Sequence, residues 1–517
     1  MMKTIALLLV LLALSQAQNM LKGRANEQQK QNSQCPTNCN CQTIKDHGNP
    51  HISYGMANCT AMPAALDHSI RHLKVNAVIS TLTKEMIAAL GKDLRLLDLS
   101  GCQITRIEKG TFSSSQQLET LVLSHNELTD IDEGEIACHA LEKLYLDGNK
   151  IKKIDNDAFH ELQSLEYLYL QQNKLQKFSA KIPNVIVLDI SYNNIKNLDL
   201  DIGMTQLESL DLCSNDLEQF PFKTSTKSNN LQNLCLSDKA AFIPEGILAM
   251  FPSLKNLTLM ASDNHKIMDK KIQTQLKKLN ELSILYIVSY HLHNLEFLPH
   301  NLIVLSLRNV VVENTTGFQH LTNLNKLILD QSPQLVPLLL NNATLMSKLT
   351  KLHMISLRKT YIVSFGSRNI PKSVKEINIA ENPLHCDCKL AWIVAKERFL
   401  MDTDHTICKT PQNVYQQRLK DVINPSACSN SDDGILEQSD KDEWHEELAD
   451  HTLLYIILGT VLLILLLIGI ILAIVLTVMR RRRRKCHISP EGGNVGSERT
   501  QQQQMKQSSS SDMLIKK

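Results

Sequence analysis

Between residues 118 and 178 the chain spells the same eleven-position pattern three times, and this repetition constrains the fold more than any other feature. The first copy carries Leu118, Leu121, Leu123, Asn126 and Leu128; the second Leu141, Leu144, Leu146, Asn149 and Ile151; the third Leu165, Leu168, Leu170, Asn173 and Leu175. In the L-x-L centre, alternate residues of a short strand point to opposite sides, so the leucines turn inward and the intervening residues outward. One such unit cannot bury its own apolar face, so the units must stack over one continuous core. Their strands then pair in parallel. Each asparagine can cap the backbone of the turn after its strand, and Phe112 and Phe159 fill the opposite side.

Repeat starts fall at Ile70, Leu94, Leu118, Leu141, Leu165, Val185, Leu207, Leu231, Leu254, Leu282, Leu302, Leu324, Leu349 and Val374, fourteen starts with a mean interval near 23 residues. The interval from Leu254 to Leu282 is the longest, at 28, and the pattern's asparagine is missing from Leu231 until Asn382. These departures predict a less regular second half, with a change of curvature between about residues 230 and 290.

Cysteines crowd both ends. Cys35, Cys39, Cys41 and Cys59 precede the first repeat, whose leucine core would otherwise stand open to water. After the last comes N-P-L-x-C-x-C-x-L-x-W, from Asn382 through Cys386, Cys388, Leu390 and Trp392, then Cys408 and Cys428. The repeat and both cysteine groups resemble the extracellular leucine-rich repeat family of single-pass surface proteins, similar to Toll-type ectodomains. That resemblance implies an α/β solenoid: a curved array with parallel strands on its concave face and disulfide caps at both ends. It also implies the pairs Cys35–Cys41, Cys39–Cys59, Cys386–Cys408 and Cys388–Cys428, which spacing alone does not fix. Leu390 and Trp392 would sit on a helix closing the end. Zinc is the other chemistry that four cysteines offer, and a secretory context disfavours it.

That context comes from the first 17 residues. Lys3, an apolar run from Ile5 to Leu14 and Ser15-Gln16-Ala17 read as a signal peptide cleaved before Gln18. The remaining divisions are a polar leader (18–34), an N-terminal cap (35–69), repeats (70–381), a C-terminal cap (382–428) and a stalk (429–452) with nine carboxylates against Lys441. Residues 453–479 are 27 positions without a charge, long enough for a tilted transmembrane helix. Arg480 to Arg484 and Lys485 follow, which places residues 480–517 in the cytoplasm and the solenoid outside, a type I topology at the plasma membrane. Gly469, Ala473 and Thr477 share one helix face and would allow a homodimer. Cys486 is a candidate for palmitoylation. The tail is too short for a folded domain, so the resemblance to Toll-type proteins stops at the membrane.

Of the other cysteines, Cys102 replaces a pattern asparagine and reads as a buried thiol. Cys213 and Cys235 lie on neighbouring strands, two residues out of register. Strand spacing of about 4.8 Å and two residues of about 3.3 Å each put their Cα atoms roughly 8 Å apart, beyond the usual disulfide reach. Two thiols are favoured, with a bond as the minority outcome.

Function is expected on the outward strand positions. There Tyr145, Tyr167, Tyr169 and Tyr192 fall on three neighbouring strands beside Asp147, Asp189 and Asp211. Tyrosine is enriched where proteins bind proteins, and it also simply suits strands. Glycosylation sequons stand at Asn58, Asn256, Asn314 and Asn342; a glycan on Asn256 would cover the later repeats and leave the first half for binding. No nucleophile motif, phosphate loop or cofactor motif is present, and His291-Leu-His293 is only a weak metal signal, so no enzyme, metal or cofactor is expected. The solenoid is near neutral, which argues against a nucleic-acid partner. The resemblance implies a protein ligand or a neighbouring cell-surface protein, bound by a receptor, co-receptor or adhesion molecule; innate-immune recognition without a signalling domain is the second expectation.

Overall fold

In the computed structural model, the described residues are 35–45, 53–179, 181–198, 206–218, 229–238, 243–261, 265–368, 370–395, 399–428 and 437–438. The expected signal peptide, leader, transmembrane segment and tail, Cys486 and all of the stalk but 437–438 lie outside them. No helix among the described residues is long and apolar enough to cross a membrane.

A sixteen-stranded sheet runs through the chain in sequence order, its parallel neighbours joined by crossover connections. Cys39–Lys45 and Ser53–Cys59 pair antiparallel, and every later neighbour is parallel. Each of the fourteen repeat starts leads into one strand. The cause is visible in the burial: in Thr120–Val122, Lys143–Tyr145, Tyr167–Tyr169, Val187–Asp189 and Ser209–Asp211 the central leucine is buried and both neighbours are half-buried. Fully burying such a leucine is worth roughly 1.5–3 kcal/mol, partly offset by the cost of ordering the chain. Short parallel pairs such as Asp130–Ile131 with Lys153–Ile154 form separate small sheets, and Phe112 and Phe159 are buried in the same core.

Buried asparagines tie each turn to the next. Asn149 Nδ2 donates to Leu123 O (2.9 Å) and Leu146 O (3.0 Å), while its Oδ1 accepts the Leu128 N–H at 3.2 Å. Asn126, Asn173, Asn193 and Asn215 repeat this arrangement. Cys102 occupies the same slot, 1% exposed, with its thiol 3.1 Å from Val75 O. In the later repeats other side chains take over the role. Ser332 Oγ donates to Leu307 O (2.7 Å) and accepts the Val310 N–H (2.8 Å), and Thr360 Oγ1 donates to Leu357 O at 2.7 Å. The sheet is unbroken through the irregular stretch, where Asn233–Asp238 and Asn256–Ala261 lengthen to six residues each.

Disulfides Cys35–Cys41 and Cys39–Cys59 secure the first end, and Cys386–Cys408 and Cys388–Cys428 the last. Leu390 is fully buried, and Trp392, in the helix Ala391–Val394, donates to Phe365 O at 3.0 Å and meets Phe365 and Phe399 edge-on. The expectation for Cys213 and Cys235 needs correction, because they are bonded, with Cα atoms 5.3 Å apart. The register was read correctly, since Asp211 pairs with Cys235. The strand, however, ends at Asp211; the chain turns before Ser214 (φ 57°), so the two residues do not add an extended step.

Candidate functional site

Three columns of outward side chains cross the strands between residues 120 and 213. The first is Thr120, Lys143, Tyr167, Val187 and Ser209; the second is Val122, Tyr145, Tyr169, Asp189 and Asp211. Just past the strands a third runs through Asp147, Gln171, Ser191 and Cys213, linked by backbone bonds from Gly148 N–H to Gln171 O, Gln172 N–H to Ser191 O and Tyr192 N–H to Cys213 O.

Residues in parallel register sit about 4.8 Å apart, which is the stacking distance of aromatic rings. Tyr145 and Tyr169 accordingly stack with centroids 4.7 Å apart and planes 9° from parallel. In the next column the Lys143 ammonium lies 5.1 Å from the Tyr167 ring centroid, a cation–π contact. Of the expected group of four tyrosines, Tyr145 and Tyr169 meet directly and Tyr167 is held by Lys143. Tyr192 stands apart on the turn beyond its strand, in left-handed backbone (φ 52°) and 55% exposed.

The second column changes from aromatic to acidic where Asp189 follows Tyr169. Asp189 Oδ1 accepts the Ser191 N–H (3.0 Å) and hydroxyl (2.7 Å), and Asp211 Oδ1 accepts the Cys213 N–H at 2.9 Å. Burial raises the Asp189 carboxyl above its ordinary range against the pull of those bonds, with the Asp147 charge adding to the rise. Burial likewise pushes Asp211 up to about 6, and the charge of Asp189 contributes. Asp98 shows what a cation changes. Burial would raise it too, but the Lys74 ammonium at 2.7 Å and the Ser100 bonds outweigh burial and hold it low. Among the described residues, no basic side chain forms an ion pair with Asp189 or Asp211. Asp147 accepts the Ser124 hydroxyl at 2.5 Å, and His125 Nε2 is 3.9 Å from its other oxygen.

Lys143 and His125 belong to this face and were not foreseen as site residues. Lys143 was legible as an outward neighbour of Tyr167 by register. His125 was legible only through the repeat, because the residue before the pattern's asparagine is left-handed (φ 56° here, φ 58° at Gln172), and this sets its ring over Gly148.

Asp211, Cys213 and Cys235 bring three ligand-type atoms within 4.8 Å of one another, but the two sulfurs are bonded together and cannot act as thiolates. The free thiols Cys102 and Cys138 are buried, and desolvation raises both, Cys138 to about 11, which leaves them unreactive. Asn256 lies on the outward side of the sheet, and its Nδ2 donates to Asn233 Oδ1. Asn58 is half-buried within the cap sheet, its Oδ1 without a hydrogen-bond partner. Asn314 and Asn342 use Oδ1 to accept the N–H of Thr316 and Leu345.

A leucine-rich repeat family matches residues 92–151 and 139–195, and a two-copy leucine-rich repeat family matches residues 183–222. Keratocan from Coturnix japonica is 26% identical over 46% of this chain and 61% of its own length. Toll-like receptor 3 from Bos taurus is 33% identical over 23% of this chain and 14% of its own. Adenylate cyclase from Podospora anserina is 32% identical over 34% of this chain and 8% of its own. The chain thus spans less than two thirds of each of these relatives. A solved structure of a TLR13–ssRNA13 complex superposes with a TM-score of 0.42 at 19% identity, covering 68% of this chain and 62% of that one.

Proposed function

We propose that this chain, a member of the extracellular leucine-rich repeat family similar to Toll-type ectodomains, is a cell-surface receptor, co-receptor or adhesion molecule. Its ligand would be a protein, bound on the outward face between residues 120 and 213. The observation that carries this reading is the Tyr145–Tyr169 stack set beside Asp189 and Asp211, which form no ion pair among the described residues. Stacked tyrosines offer rigid, amphipathic contact area at little entropic cost, as binding hot spots do. Two half-buried carboxylates held next to each other, at a cost to the fold, suit a ligand that brings its own Lys or Arg. The same carboxylates would repel a polyphosphate backbone, which supports a protein over a nucleic-acid ligand.

Innate-immune recognition remains the second reading, supported by the likeness to Toll-like receptor 3 within the repeats. Anchoring by residues 453–479 and a homodimer through Gly469, Ala473 and Thr477 belong to the same proposal. Otherwise non-adhesive cells displaying the full chain provide the test. Clumping among them, or capture of a protein from neighbouring cells, supports adhesion or receptor function; binding only to microbial surface material moves the assignment to the second reading.

A further inference from the structure

Past the turn that follows each strand, three consecutive rungs of the solenoid share one burial pattern. They read K-I-K-K-I from Lys150, K-L-Q-K-F from Lys174 and N-I-K-N-L from Asn194; in each, the second and fifth residues are buried and the other three exposed. Lys174 N–H donates to Ile151 O at 2.9 Å and Lys196 N–H to Gln176 O at 3.1 Å, so the rungs lie side by side. Over these fifteen positions stand six lysines and no Asp or Glu.

Carboxylates neutralise only the margins. Glu127, on the rung before, pairs with Lys150, and Glu218, on the rung after, pairs with Lys196. Lys152, Lys153, Lys174 and Lys177, between them, form no ion pair among the described residues. Asp130 is in register with Lys153, yet its carboxylate accepts the Thr129 hydroxyl at 2.8 Å. Four ammonium groups gathered on two adjacent rungs repel one another and set up a positive field over this flank.

We propose that Lys152, Lys153, Lys174 and Lys177 bind a sulfated glycosaminoglycan, a linear polyanion of cell surfaces and matrix, on a flank separate from the tyrosine-bearing face. The surface offers charge and little else. Ile151, Ile154, Leu175, Phe178, Ile195 and Leu198 are all turned into the core. Protein interfaces instead centre on exposed aromatic or apolar anchors and are depleted in lysine, so the composition favours a polyelectrolyte over a protein. Between polyanions, the expected signal peptide sets the solenoid outside the cell, where sulfated polysaccharides are met. No glycosylation sequon falls on these rungs, so no N-linked glycan is attached there to shield them.

The test measures binding of the full chain in detergent to immobilised heparin over a range of NaCl concentrations. Affinity should fall steeply with salt, because each lysine seated on a sulfate displaces counterions. Changing all four lysines to Gln, at exposed positions that leave the thermal midpoint unaltered, should weaken binding at least about tenfold at physiological salt and flatten the salt dependence. The same change of charge at Lys277, Lys278, Lys348 and Lys375, which are also exposed, should leave binding unchanged. No binding of the unaltered chain at physiological salt, or equal losses in the two quadruple variants, overturns the proposal. Tighter binding of duplex RNA than of heparin, lost in the first variant, would reassign the flank to nucleic acid and overturn it equally.

Discussion

Replacing Asp211 with Asn should stabilise the protein at neutral pH and leave it unchanged in acid. The amide keeps an oxygen to accept the Cys213 N–H, which Asp211 Oδ1 accepts at 2.9 Å, so the change removes only the charge. Burial raises this carboxyl from 3.8 to about 6. A shift of two units, at about 1.36 kcal/mol each, places the cost of the buried charge at no more than about 3 kcal/mol. The folded pKa lies above the unfolded one, so the native state holds its proton more tightly. The wild type therefore loses stability as pH rises from 3.8 through about 6, and has lost all of this contribution above it. The amide does not titrate. The urea midpoint of Asp211→Asn should coincide with that of the wild type below pH 3.8 and exceed it at pH 7.5 by the equivalent of about 2–3 kcal/mol. An equal gap at both pH values, or a less stable variant at pH 7.5, would refute the reasoning. The same variant should bind ligand less well, because stability is commonly exchanged for function at such positions.

Two other substitutions probe the frame that holds the face. Asn149→Ala strands the Leu128 N–H and removes one of two amide bonds from each of the Leu123 and Leu146 carbonyls, which keep those from Asn126 and Asn173; at about 1 kcal/mol per bond it should cost about 3 kcal/mol, read as a lower thermal midpoint and faster amide exchange at Leu128. Gly148→Ala puts a Cβ 2.3 Å from His125 Nδ1 in left-handed backbone (φ +66°). It should destabilise by about 1–3 kcal/mol, and His125→Ala should recover the part due to the clash but not the part due to the backbone, a division that a double-mutant cycle measures.

The repeated leucines made the strand positions legible, because period-two burial leaves one arrangement for L-x-L. The asparagine at a fixed offset was legible for the same reason, and so was Cys102 in its slot. Reading failed where the backbone leaves the strand. Cys213 bonds to Cys235 because the chain turns after Asp211, and His125 reaches Gly148 because of its left-handed conformation; a left-handed residue recurs just before the pattern's asparagine, as at Gly148, Gln172, Tyr192 and Ser214, a regularity that the alternation of leucines does not express. Ser332 and Thr360 escaped notice because their hydroxyls reach the same carbonyls by shorter side chains than the amide they replace. On the candidate face, the tyrosines and aspartates could be placed by register alone. The stack, the Lys143 contact and the raised carboxyls depend on side-chain approach and burial, which appear only in three dimensions.

The central claim is that the face between residues 120 and 213 binds a protein ligand. Cells displaying the full chain should be compared with cells displaying Tyr145→Ser combined with Tyr169→Ser, and with a control carrying Thr258→Ser and Tyr286→Ser farther along the same register. Binding to neighbouring cells or captured protein should fall at least about tenfold in the first pair, as loss of a stacked aromatic hot spot implies, and persist in the control at equal surface display. Undiminished binding by the first pair would contradict the central claim.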